Sequence, residues 1–169
     1  DDNTADDNAG VGYRALYQNT TGQYNAAVGA QSLYNNTTSS NNTAVGYNAL
    51  FNNTTGSNNT TVGKSSLDAN TTGDFNVALG SHALGANTTA DANTGLGYYA
   101  LNVNTTGANN TAVGYNALDA NTTGSNSVAI GYEAASAVTS VGGQTAVGHS
   151  ALKANTTGQN GVAIGQNAL

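Results

Sequence analysis

Glycine recurs every 17 residues along this chain, at Gly12, Gly29, Gly46, Gly63, Gly80, Gly97, Gly114, Gly131, Gly148 and Gly165. Ten glycines in unbroken register describe ten copies of one small unit with no insertion between them. Helical-pair repeats need about 33–47 residues each, so a unit of 17 is too short for them. One turn of a β-solenoid fits, and stacking such turns buries the apolar edges that no single turn could hide. The expectation is an all-β, parallel β-solenoid of ten 17-residue turns, spanning residues 1–169 as one repeat domain.

Stacked turns place equivalent residues above one another, so the repeat reads best as columns. The residue before each glycine is Val11, Val28, Val45, Val62, Leu79, Leu96, Val113, Ile130, Val147 or Ile164. Two residues earlier stand Ala9, Ala26, Thr43, Thr60, Val77, Thr94, Thr111, Val128, Thr145 and Val162. Period-two spacing of β-branched residues predicts a short strand with both columns on one face. Between them only Gly, Ala or Thr61 occurs, so the strand packs closely against something. The glycine itself reads as a bend, where a positive φ or a close backbone approach excludes a Cβ.

Beyond the bend, a small residue (Ala15, Ser32, Ala49, Ser66 and their equivalents) precedes a leucine in nine of the ten copies, among them Leu33, Leu50, Leu67 and Leu118. This predicts a second short strand in each turn. Neighbours on a strand point to opposite sides, so the small and leucine columns share one interior only if the chain bends between them. Otherwise one column faces a partner chain. Small columns also suit close packing between chains, and a parallel homotrimer is the preferred assembly, with a monomer as its alternative. Val28, Val45, Val62, Val113, Ile130, Leu33, Leu50, Leu67 and Leu118 are the candidates for core or inter-chain seam.

A second corner repeats as Asn53-Thr54-Thr55-Gly56, Asn70-Thr71-Thr72-Gly73 and similar segments. Asn and Gly suit turns, and stacked Asn or Thr side chains can bond along the column. The two Thr columns, beginning at Thr20 and Thr21, also suggest an ice-binding solenoid, with one of them facing outward. Each corner Asn (Asn19, Asn36, Asn53 and so on) falls in an Asn-x-Thr sequon, which reads as a by-product of the corner. The turn at residues 131–147 departs from the consensus while keeping its length, and reads as a drifted copy.

Composition narrows the function. The net charge is −6, with four of the nine acidic residues at Asp1, Asp2, Asp6 and Asp7. Three basic residues, Arg14, Lys64 and Lys153, form no patch for a phosphate backbone, so nucleic acid is not an expected partner. No apolar run is long enough to span a membrane. There is no Cys, His82 and His149 stand four turns apart, and the carboxylates are scattered. Neither catalysis, nor a metal site, nor a cofactor is expected. Tyr13, Tyr47, Tyr98, Tyr115 and Tyr132 follow their glycines directly. Tyr17, Tyr34 and Phe51 stripe three consecutive turns and are the candidate adhesion patch.

Asn126-Ser127-Val128-Ala129-Ile130-Gly131 resembles the signature repeat in the heads of trimeric autotransporter adhesins, the left-handed parallel β-rolls typified by the Yersinia adhesin. Gly161-Val162-Ala163-Ile164-Gly165 is close to it. Asn42-Thr43-Ala44-Val45-Gly46, continued by Tyr47-Asn48-Ala49-Leu50, is similar to a variant found in phage tail-fibre-like and other surface fibres. The resemblance implies an obligate homotrimer on a bacterial surface or virion, with Val128, Ile130 and their equivalents filling the coil. It implies an extracellular fibre or adhesin head segment that gives rigid reach and attachment without chemistry. The partners expected are other copies of the chain, as a homotrimer or an end-to-end fibre, and a host glycan or extracellular matrix protein. A 17-residue turn is longer than the family's usual coil, and the chain lacks that family's neck, stalk and membrane anchor. It reads as a fragment of a longer fibrous protein or as a passive self-assembling spacer.

Overall fold

The structure is a computed structural model that describes residues 7–169; Asp1, Asp2 and Asp6, and with them the start of the expected domain, lie outside the described residues. Ten strands of three residues follow one another: β1 (Ala9–Val11), β2 (Ala26–Val28), β3 (Thr43–Val45), β4 (Thr60–Val62), β5 (Val77–Leu79), β6 (Thr94–Leu96), β7 (Thr111–Val113), β8 (Val128–Ile130), β9 (Thr145–Val147) and β10 (Val162–Ile164). They form one parallel sheet in sequence order. The register is that of the repeat, with Thr43 opposite Thr60 and Val45 opposite Val62. Parallel strands normally need a long crossover; here the 14 residues between β3 and β4 supply it as the rest of one turn. The chain is a parallel β-solenoid.

The glycine of the repeat makes the bend. Gly63 has φ +141°, and a Cβ there would lie 2.5 Å from the carbonyl oxygen of Gly80 in the next turn. Both readings of that position, positive φ and close approach, therefore hold together.

The second strand expected after the glycine is absent. The backbone instead makes two tight turns, in which the Ala49 N–H donates to the Gly46 carbonyl at 3.3 Å and the Asn53 N–H to the Leu50 carbonyl at 3.5 Å. Asn48 and Leu50 both adopt left-handed φ, 55° and 53°, and the same pair of positions does so in eight other turns, from Arg14 and Leu16 to Ser150 and Leu152. Left-handed backbone costs an L-residue roughly 1–2 kcal/mol, while burying a leucine is worth about 1.5–3 kcal/mol. Burial therefore holds a conformation that leucine would not choose alone. The bend lets neighbours face the same way: Ala49 and Leu50 are both fully buried, as are Ala83 and Leu84, Ala100 and Leu101, and Ala117 and Leu118.

This divides the candidates for core or seam, and it overturns the implication of the resemblance that Val128 and Ile130 fill the coil. Leu33, Leu50, Leu67 and Leu118 fill the coil. Val28, Val45, Val62, Val113 and Ile130 do not; they point outward, Val28 with 42%, Val62 with 39% and Ile130 with 40% of their surface open and Val45 and Val113 half-buried. The inward residue of each strand is the small one between them: Ala27, Ala44, Ala78, Ala112 and Ala129 are fully buried. A Cβ added at Gly95 would meet Leu84 Cγ at 3.3 Å, so leucine below leaves room only for a small residue above. The small columns line the chain's own interior rather than an inter-chain contact.

Thr61 sits in that column, fully buried, and its hydroxyl has no hydrogen-bond partner. An unpaired buried hydroxyl costs about 1–3 kcal/mol, more than the roughly 1 kcal/mol that a lost methyl forfeits. Thr61→Ala is therefore expected to raise stability by about 1 kcal/mol in urea unfolding; a loss of similar size would show that the hydroxyl is satisfied.

Polar residues complete the interior. Asn36 donates from Nδ2 to Asn19 Oδ1 at 2.8 Å, and the ladder continues through Asn53 at 3.1 Å, Asn70 at 2.9 Å, Asn87 at 3.2 Å, Asn104 at 3.0 Å and Asn121 at 2.9 Å. A second ladder, not singled out in the sequence, runs through Asn8, Asn25, Asn42, Asn59, Asn76, Asn93 and Asn110. There each Oδ1 accepts the backbone N–H of its equivalent one turn on, as from Asn42 to Asn25 at 3.0 Å and from Asn59 to Asn42 at 2.9 Å. The two ladders meet at the corner carbonyl: Gly56 O accepts from Asn53 at 2.8 Å and from Asn42 at 2.9 Å. Both lone pairs are used.

The irregular turn is a set of matched replacements. Ala135 stands in the leucine column and Val138 in the asparagine column, and both are fully buried. Val138 interrupts the first ladder. Asn121 Oδ1 then accepts the Gly124 N–H at 3.1 Å. Beyond the gap, Gln144 is one methylene longer than the Asn it replaces, and its Oε1 accepts from Asn155 Nδ2 at 3.0 Å and from the Gly161 N–H at 3.1 Å.

Candidate interaction surface

The outer wall of the sheet is set by the pleat. Because the small residue of each strand faces in, its two neighbours face out, and ten strands in register turn these into two straight columns. One column is wholly apolar, from Val11 to Ile164. The other mixes Thr43, Thr60, Thr94, Thr111 and Thr145 with valine and alanine. At about 4.8 Å per strand the wall runs for roughly 43 Å.

Aromatic residues form two further ladders. Tyr17, Tyr34 and Phe51 stack with centroids 5.1 Å apart at both steps and planes within 17°, so the candidate adhesion patch is one contiguous pile. Arg14 lies over the Tyr17 ring, 5.1 Å from its centroid. The rings thus spend their faces on one another and on the guanidinium, presenting edges and hydroxyls outward. Such a pile suits contact with a protein surface better than a sugar lying on a ring face. On the glycine-following column, Tyr98, Tyr115, Tyr132 and His149 stack at 5.6, 5.1 and 5.1 Å. Tyr99 meets Tyr98 edge-on at 4.3 Å, and His82 stacks on Tyr99 at 5.2 Å. The two histidines thus cap one aromatic series from opposite ends.

The threonine columns differ from each other. In the first, the hydroxyl donates to the backbone carbonyl one turn on, as from Thr54 to Thr71 at 3.0 Å and from Thr105 to Thr122 at 3.0 Å. The second, containing Thr55, Thr72, Thr89 and Thr106, is exposed. The corner sequon asparagines from Asn36 to Asn121 are buried, and their amide nitrogens are held in the ladder, which leaves no space for a glycan at those positions.

Among the described residues, no group of three His, Asp or Glu could hold a metal ion. Asp68 and Asp119 share a column, three turns apart, beneath the aromatic pile. Burial raises the Asp68 carboxyl above its ordinary range, opposed by hydrogen bonding at its own backbone, by the nearby His82 and by a bond from Ser65. Burial also raises Asp119, and Glu133 adds to the effect, against backbone bonds at Asp119 and Ala120 and the charge of Lys153. Lys153 pairs with Glu133, and that bond raises the lysine. One Asp119 oxygen is buried without a partner.

A carboxyl raised in the folded state binds more protons there than in the unfolded chain. Its contribution is complete below the unfolded value, about 3.9, and is lost as pH climbs through the folded value. Asp119→Asn is expected to raise the urea midpoint at neutral pH and to flatten its fall above about pH 4. An unchanged profile would show that Asp119 is fully solvated.

Comparison with protein-family models, with curated proteins and with solved structures returned no match. Fold and surface together define a β-solenoid repeat protein.

Proposed function

We propose that the chain is a rigid segment of an extracellular fibre or adhesin head, on a bacterial surface or virion, assembled as a parallel homotrimer and carrying out no chemistry. The observation that carries this reading is the unbroken apolar column from Val11 to Ile164 on the outer wall. Exposed apolar stripes of this extent mark association surfaces. A straight stripe with one residue per turn matches another copy laid alongside in parallel, since every rung then meets the same rung. The resemblance of the Val128–Gly131 and Thr43–Gly46 segments to trimeric adhesin repeats supports the same assembly. On this reading the seam lies outside each coil, in the strand residues that the coil does not use. The Tyr17–Tyr34–Phe51 pile is the proposed attachment patch, with a matrix protein favoured over a glycan.

Solution mass by light scattering tests the assembly. A trimer is expected, and Val62→Lys with Ile130→Lys should convert it to monomer with unchanged circular dichroism, because three lysines would be buried together at each rung. A wild-type monomer would overturn the seam.

A second reading is favoured by the same wall. Thr43, Thr60, Thr94, Thr111 and Thr145 stand beside the apolar column on one sheet, interrupted by Val77 and Val128, and a flat sheet suits ordering of water on ice better than the corner does. Thermal hysteresis from a monomeric protein would replace the fibre reading with this one.

A further inference from the structure

We propose that Tyr98, Tyr115 and Tyr132 form an oxidative cross-linking site, at which a one-electron oxidant joins successive turns of the rod through dityrosine bonds. The three rings stand on consecutive turns in the column that follows the glycine. Their centroids are 5.6 and 5.1 Å apart and their planes lie within 11° of parallel. All three are nearly half exposed, at 45%, 43% and 45%, so an oxidant can reach them and their side chains can tilt towards one another. Tyr17 and Tyr34, 5.1 Å apart, form a second pair, which Phe51 terminates because it lacks the phenol. Tyr13, Tyr24 and Tyr47 are exposed too, yet among the described residues none of them stacks on another tyrosine. Tyr99 meets Tyr98 edge-on within a single turn, so of the nine tyrosines the fold stacks five on a tyrosine of a neighbouring turn and leaves four without such a partner.

The step balances. Each phenol loses one electron and one proton to become a phenoxyl radical, whose spin lies partly on the ring carbon ortho to oxygen. Two such carbons on adjacent turns form a carbon–carbon bond, and each ortho hydrogen then moves to its oxygen to restore the phenol. Two electrons pass to the oxidant and two protons to water. A chain with no Cys cannot staple its turns with disulfides, and this bond would close the same 17-residue loop.

The test illuminates dilute protein with tris(bipyridyl)ruthenium(II) and persulfate, which takes up the two electrons as it splits to two sulfates. Products are followed by dityrosine fluorescence, denaturing gels and peptide mass mapping. Links are expected between Tyr98 and Tyr115 or between Tyr115 and Tyr132, within one chain, each with the loss of two hydrogen atoms. The unfolding midpoint should rise by roughly 5–10 °C for each link. Tyr115→Phe should abolish linking between turns in this segment and leave the Tyr17–Tyr34 link intact, because Tyr98 and Tyr132 are two turns apart and Tyr99 meets Tyr98 only within one turn. Absence of dityrosine, links only between chains, links at Tyr13, Tyr24 or Tyr47 in equal yield, or undiminished linking in the Tyr115→Phe variant would each overturn the proposal.

Discussion

Gly63→Ala is expected to break the rod at its fourth turn. The added methyl would stand 2.5 Å from the Gly80 carbonyl oxygen and 2.6 Å from its carbon. Both atoms are backbone and belong to a turn already tied down on its far side, so neither can step aside. The φ of +141° adds about 1–3 kcal/mol of conformational strain, and the clash forces the two turns apart. Separation also strains the Gly63 N–H bond to Val45 and the Gly80 N–H bond to Val62, both 2.8 Å. A total loss of about 4–6 kcal/mol is expected, seen as a lower urea midpoint or as separate unfolding of the two halves. Gly165→Ala is the control, because its φ is +123° but a Cβ there meets nothing within 4 Å. It should cost only the conformational part. Equal effects of the two substitutions would rule out the contact between turns as the reason for glycine.

Asn70→Asp is the second large effect. Asn70 is fully buried. Its Nδ2 donates to Asn53 Oδ1 at 2.9 Å and to the Gly73 carbonyl at 3.0 Å, and its Oδ1 accepts from Asn87 at 3.2 Å. A carboxylate keeps the shape and the acceptor but turns both donated bonds into contacts between oxygens. It also places a charge where no cation is near. Breaking a buried polar network in this way costs about 3–5 kcal/mol. Burial would raise the new carboxyl above its unfolded value, so protonation in acid should restore much of the loss, and stability should fall as pH rises through the folded value. Urea unfolding of both proteins between about pH 3 and 7 decides it: a constant difference between them would mean that the charge plays no part. The natural break at Val138 shows what tolerance requires. There the ladder is cut only with Gly124 supplying a donor to Asn121 and Gln144 an acceptor to Asn155.

Much of the coil was legible in the residue order. The glycine interval named the turn, and Asn53-Thr54-Thr55-Gly56 named the corner and its ladder. Val45 and Thr43 named a strand with both of them on one face. Two things were not legible. Alternation of period two distinguishes two faces but does not say which is inner, and Val128 and Ile130, which the resemblance put inside the coil, lie on its outer wall. The left-handed Leu50 was hidden as well, because leucine has no local preference for that backbone. The surface followed from the same point: the small columns looked like the contact between chains but line the coil, and the valine column is what remains on the outer wall.

The residue order by itself determined that this chain stacks, because like residues at a fixed interval satisfy one another only when each turn lies over the last. Only the tertiary structure decided what stands inside. One turn has room for a single leucine between small neighbours, and filling that space repays the left-handed backbone that carries it there. Every larger apolar residue of the strand is left on the outer wall, outside the packing of the coil itself.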